Sequence, residues 1–166
     1  MHNISCDFMD THGDTYLEFV SAQDTIRLDA IKLKFPDADL DWDRNWVLTK
    51  VTIKAGVFSG QFAGEFMTTD FELLKRQLVL LDTDFNNGAK FSPLERQLIL
   101  TITGDGLGQF EMECEVTPEP NSRQKLTFSM SFDQTEIKSY VRQLDRITKQ
   151  FPVDGDFKID DQQGSI

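Results

Sequence analysis

The chain has 166 residues, enough for one domain with short tails and enough to bury a core without a structural metal or a disulfide framework. A formal net charge of −11 and a pI near 4.5 argue against nucleic acid as a direct partner, since phosphate binding needs basic patches, and they favour attraction to basic partners. Hydrophobic residues make up 39%, with 14 Phe against 2 Tyr and 2 Trp, so the expected core is rich in phenylalanine.

Met1 to Asp14 is polar and irregular and is expected to form a flexible N-terminal tail. Tyr16 to Val20 predicts a first strand. A longer strand follows, with Ile26 and Leu28 on one parity and Ile31, Leu33 and Phe35 on the other, which predicts a bulge or bend near Asp29-Ala30. Pro36 ends it. From Pro36 to Val47 the chain runs PDADLDWDRNWV. In an extended backbone Asp37, Asp39, Asp41 and Asp43 would share one side, with Leu40 and Trp42 on the other.

Trp46 to Ala55 returns to strand character, and Gly56 marks a turn. Phe58, Gly60, Phe62, Gly64 and Phe66 then fall on one face of a further strand, an order expected to serve core packing with close backbone approach at the glycines. Thr69 and Glu72 have capping-box spacing, and Phe71, Leu74, Leu78 and Leu81 recur at helical spacing, predicting a helix that stops before Asn86-Asn87-Gly88. Phe91 to Leu94 is expected to be a connector.

From Glu95 on, the pattern has period two. Leu98, Leu100 and Ile102 lead to the Gly104-Asp105-Gly106 turn. Phe110, Met112, Cys114 and Val116 follow, and after a proline-containing loop come Leu126, Phe128, Met130 and Phe132. Three such segments predict an antiparallel meander with one buried and one wet face. Asp133 is placed to cap a last helix whose stripe is Ile137, Tyr140, Val141, Leu144, Ile147 and Phe151, ended by Pro152. Residues 153–166 are acidic and are expected to form a flexible C-terminal tail. The fold class expected is α+β: a mainly antiparallel sheet of about seven strands, curled or sandwich-like, with two amphipathic helices, in a single domain over 15–152 and with no internal repeat.

No catalytic or cofactor signature survives inspection. The aspartate run fails as an EF-hand loop in both registers, because the sixth and twelfth positions hold Trp42 and Leu48, or Arg44 and Lys50. A hard-cation site of another kind is less favoured than solvated loop charge. His2 and His12 lie in the tail, a poor place for a rigidly held base, and Cys114 is expected to be an inert core thiol. Two distant thiols, no signal peptide and no apolar run long enough to span a bilayer point to the cytoplasm. No enzyme activity, cofactor or metal is expected.

The order DWDRNWV, FELLKRQL, FSPLERQLILTITGDGLGQFEMECEV, LTFSMSFDQTEI and a closing helix ending in FP resembles the WapI-like immunity proteins of bacterial contact-dependent toxin systems. The resemblance covers roughly Tyr16 to Pro152. Its matching points are Asp43, Arg44, Asn45 and Trp46, then Leu94 and Glu95, then Phe132, Asp133 and Gln134. It implies a non-enzymatic bacterial protein that binds and neutralises a cognate toxin domain, often a nuclease. The partner expected is therefore a basic protein toxin domain, with neither nucleic acid nor membrane. The residues expected to meet it are Asp37, Asp39, Asp41, Trp42 and Asp43, then Glu111, Glu113 and Glu115. The alternative is a small acidic β-domain acting as an oligomeric subunit or small-ligand-binding module.

Overall fold

The structure is a computed structural model and describes residues 13–159. Wherever apolar residues alternate, a strand has formed, and the order is β1 (Tyr16–Val20), β2 (Asp24–Leu33), α1 (Asp41–Arg44), β3 (Trp46–Ala55), β4 (Phe58–Met67), α2 (Thr68–Thr83), β5 (Gly88–Phe91), β6 (Leu98–Gly104), β7 (Gln109–Val116), β8 (Leu126–Asp133) and α3 (Gln134–Gln150). The strands form two antiparallel four-stranded meanders, β1-β2-β3-β4 and β5-β6-β7-β8. The α+β class is as expected, with eight strands in place of about seven. The additional one is β5, four residues long, whose only inward side chains are Ala89 and Phe91. A run of that length carries too little periodicity to stand out from a connector.

The parity switch in β2 is a bulge: the register against β3 shifts between Ala30 and Lys32. Asp133 caps α3 as expected, its carboxylate accepting the Thr135 N–H at 2.8 Å. Helix α2 begins two residues earlier than the Thr69 cap predicts. Strand pairing ends at Met67, the Thr68 N–H is bonded to the Asn45 carbonyl at 2.9 Å, and the Asp70 carboxylate accepts the Met67 N–H at 2.8 Å. The half-buried Asp70 is pushed up to about 6 by burial, against the lowering effect of that hydrogen bond.

The inner faces of both sheets and both long helices share one core, and its aromatic residues gather in two groups. Phe66, Phe71 and Phe91 join β4, α2 and β5, with centroids 5.2 to 6.2 Å apart. Phe19, Tyr140, Phe132 and Phe110 join β1, α3, β8 and β7. The glycines of β4 differ from one another. At Gly64 a Cβ would lie 2.8 Å from the Phe66 ring and 2.9 Å from Val51, whereas at Gly60 nothing lies within 4 Å.

No sequence repeat accompanies it, but the layout of four strands and a helix occurs twice. Each helix leaves the last strand of one sheet and covers the first strand of the other. The Gln77 side chain of α2 accepts the Lys90 N–H of β5 at 2.7 Å, and Gln143 of α3 accepts the Glu18 N–H of β1 at 2.8 Å. The Val20 N–H adds a hydrogen bond to the Tyr140 hydroxyl. These outward N–H groups of β1 and β5 thereby find partners.

Candidate functional site

The aspartate stretch is not extended. Residues 36–40 turn and Asp41–Arg44 forms the single turn α1, so the four carboxylates do not line one side. The reason is local. The Asp43 N–H bonds the Leu40 carbonyl at 3.1 Å, and the Arg44 guanidinium folds back to the Ala38 carbonyl at 2.8 Å and to the Asp41 carboxylate. Arg44 also pairs with Asp154 through Nε and Oδ2 at 2.7 Å. That hydrogen bond is the main reason the Arg44 guanidinium is held above its ordinary range and the Asp154 carboxyl below its own.

Asn45, fully buried, ties this turn to two distant segments. Its Nδ2 donates to the Asp41 carbonyl at 2.8 Å and to the Asp154 carbonyl at 2.9 Å. Its Oδ1 accepts the Thr68 hydroxyl at 2.7 Å and the Asp154 N–H at 2.8 Å. The start of the predicted C-terminal tail is thus joined to the domain, and the Phe157 ring lies edge-on to Trp42 with centroids 5.6 Å apart. The rest of that tail from Asp160, and the N-terminal tail through His12, lie outside the described residues, as do Cys6 and His2.

Asp41 is engaged by Arg44, Asp43 is half-buried, and Asp37 and Asp39 are exposed without an ion pair among the described residues. Trp42 is about half exposed, and Phe35 and Leu40 are exposed as well. No group of three or more His, Cys, Asp or Glu among the described residues is placed to hold a metal ion.

Glu111, Glu113 and Glu115 form the ladder their spacing predicts, on the outer face of β7. In register, Glu111 lies between Thr103 and Ser131, Glu113 between Thr101 and Ser129, and Glu115 between Ile99 and Thr127. Lys125 reaches Glu115 at 3.0 Å, while Glu111 and Glu113 are exposed and uncompensated among the described residues. A shallow groove of about 400 Å³ lies over this face, between Ile99 and Thr101 on one flank and Thr127 and Ser129 on the other. The two acidic groups are on separate elements, one at the β2–β3 connection and one on the second sheet. Cys114 points the other way into the core, and burial pushes its thiol up to about 12.

The sequence pattern did not single out a charged group on the outer face of the first sheet. Asp29 is fully buried and is held by Arg27 Nη2 at 3.0 Å, and Arg27 Nη1 reaches Glu18 at 3.3 Å. Arg27 sits over the Tyr16 ring at 3.8 Å, and Lys50, also buried, is the register partner of Asp29. Burial lowers the Arg27 pKa, and the hydrogen bonds and charges of Asp29 and Glu18 outweigh it, so the guanidinium is held above its ordinary value. Arg27 and Asp29 on the polar parity of β2, with Lys50 opposite Asp29 on β3, were the available signal.

The family model of the immunity protein WapI-like family matches residues 19–152. This chain belongs to that family. Within the WapI-like sequence, Arg44 and Asn45 of the DRNW motif hold α1 against Asp154, and Asn45 also binds Thr68, a structural role. No curated protein matches the chain. Among solved structures it is similar to the plant transcriptional regulator PBF-2, at 11% identity over 84% of each chain with a TM-score of 0.47. It is also similar to MRP1/MRP2 of Trypanosoma, at 14% identity over 81% of this chain and 79% of that one, with a TM-score of 0.38. Both likenesses are distant. No helix of the described residues is long and apolar enough to cross a membrane.

Proposed function

We propose that this WapI-like chain is a non-enzymatic, cytoplasmic immunity protein that binds and neutralises a basic toxin domain, a nuclease in the form we favour, through its acidic surface. The observation that carries this is the Glu111-Glu113-Glu115 ladder, rigidly spaced by strand geometry and left largely uncompensated. Carboxylates displayed at that spacing occupy the positions where a nuclease would hold phosphates, and the toxin is blocked without any bond being made or broken. Asp37 and Asp39 provide a second acidic group, with Trp42 as an apolar anchor; Asp41 and Asp43 contribute charge but are partly engaged.

Charge complementarity acts mainly on the rate of encounter, which falls steeply as salt is added. The test is surface plasmon resonance with a basic toxin domain from a gene found to neighbour this one, at 50 mM and 300 mM salt. Changing Glu111, Glu113 and Glu115 together to Gln is expected to slow association about tenfold at low salt and little at high salt. Wild-type association rates for both that variant and the one with Asp37, Asp39 and Asp41 all changed to Asn would remove the acidic-surface assignment. A stable homo-oligomer that binds no toxin domain would return the chain to the alternative of an oligomeric subunit.

A further inference from the structure

Three of the four sheet edges are capped by side chains. On β1 the Glu18 N–H goes to Gln143 and the Val20 N–H to Tyr140; on β5 the Lys90 N–H goes to Gln77. On β4 the Gln97 amide takes the Glu65 N–H at 2.9 Å and donates to the Ala63 carbonyl at 3.2 Å. Among the described residues the edge of β8 has no such cap.

Its orientation follows from one hydrogen bond. The Gln134 N–H bonds the Gly108 carbonyl at 2.8 Å, and the antiparallel register places Phe132, Met130 and Phe128 at the alternate positions that also face β7. Thr127, Ser129 and Ser131 therefore point their N–H and C=O groups outward, and among the described residues nothing bonds them. Such a row is a template for an added strand.

The two flanks of this edge say what strand fits. On the inner side, a cleft of about 510 Å³ opens between the start of β4 and the start of β8; Phe58, Gly60, Phe62, Val116 and Leu126 give it an apolar wall, and Arg123 and Lys125 also line it. Gly60 leaves it open, since nothing lies within 4 Å of where its Cβ would be, and Phe58 is largely exposed. On the outer side lies the groove of Glu113, Glu115, Thr127 and Ser129. An added strand sits about 10 Å from β7, two strand spacings away, within reach of long cationic side chains.

We infer that β8 receives an extended segment of the toxin partner with alternating residues, apolar ones entering the Phe58-Phe62-Leu126 cleft and Lys or Arg ones reaching the glutamate ladder. This rests on the immunity reading and names its docking mode: backbone hydrogen bonds for affinity, alternate pockets for specificity. A second copy of this chain fits less well, because β8-to-β8 pairing would place two glutamate ladders across the joined sheet.

The test is nuclear magnetic resonance of the labelled full chain titrated with an acetylated, amidated heptapeptide of alternating Lys and Val. Increased exchange protection is expected at the Thr127, Ser129 and Ser131 amides, and the isomer with its Lys and Val in two blocks should bind at least tenfold more weakly. Gly60→Leu, which fills the cleft without touching the edge, should weaken the alternating peptide about tenfold. Ser129→Pro, which removes an outward donor, should abolish the protection. Shifts confined to residues 37–43, or no protection at millimolar peptide, overturn the inference. Light scattering showing a dimer with these amides already protected overturns it in favour of a second copy. If the neighbouring toxin domain binds wild type, Gly60→Leu and Ser129→Pro equally, the docking mode fails while the immunity function stands. If it binds none of them, the function itself fails.

Discussion

Asn45 and Asp154 pair in both directions, amide to backbone, across 109 residues of chain: Nδ2 donates to the Asp154 carbonyl at 2.9 Å and Oδ1 accepts its N–H at 2.8 Å. With the Thr68 hydroxyl on the same oxygen, one side chain joins α1, the start of α2 and the segment after α3. Asn45→Ala leaves several buried groups without partners and should cost about 2–4 kcal/mol in urea unfolding. Asp154→Ala removes only the exposed ion pair with Arg44 and keeps the backbone contacts, so its urea midpoint should stay close to that of wild type. Equal losses for the two would show that the carboxylate, and not the amide, holds the segment.

Asp70 gives a pH dependence of unusual sign for a carboxylate. Its folded value is raised to about 6 from an ordinary 3.8, so the native state holds the proton more tightly than the unfolded chain. Its contribution to stability is therefore fully present below about pH 4 and is lost as pH rises through 6. Asp70→Asn keeps an acceptor for the Met67 N–H and removes the titration. The difference between its urea midpoint and that of wild type should grow in favour of the variant between pH 4 and pH 7. A difference that stays flat over that interval would contradict the raised value.

The two glycines of β4 make a paired control on packing. Gly64→Ala drives a methyl group to within 2.9 Å of Val51 and closer still to Phe66, and should cost about 1–3 kcal/mol. Gly60→Ala meets open space and should be neutral or stabilising by roughly 0.5–1 kcal/mol. Thermal unfolding of the two variants side by side checks the order.

Removing an edge cap should expose the strand it covers. Gln143→Ala frees the Glu18 N–H and is expected to cost about 1 kcal/mol and to raise hydrogen exchange at that amide. Gln77→Ala should do the same for Lys90. Exchange that changes everywhere except at those two amides would show that the glutamines do not cap the edges.

Elements with long periodic patterns were legible from the residues: the meander from Leu98 to Phe132, both long helices, the Asp133 cap and the bulge in β2. The α+β class follows from those alone. What escaped depends on contacts far along the chain. Alternating aspartates suggested an extended strand, but Arg44 and Asn45 draw them into a turn through bonds to Ala38, Asp41 and Asp154. Gln77, Gln97 and Gln143 occupy positions where a glutamine ordinarily faces water, and only the folded chain brings a bare strand edge to each. For the glutamate ladder, spacing foretold the shared face, and register added a row of hydroxyls on the β8 side and Thr101 and Thr103 on the β6 side.

The reciprocal covering of β1 by α3 and of β5 by α2 means that neither half is self-sufficient. A chain severed at Asn87 would yield two fragments, each with an orphaned helix and a first strand stripped of its cover. Alone they should remain largely unfolded, and mixed they should restore one another, which makes this molecule a natural starting point for a split reporter.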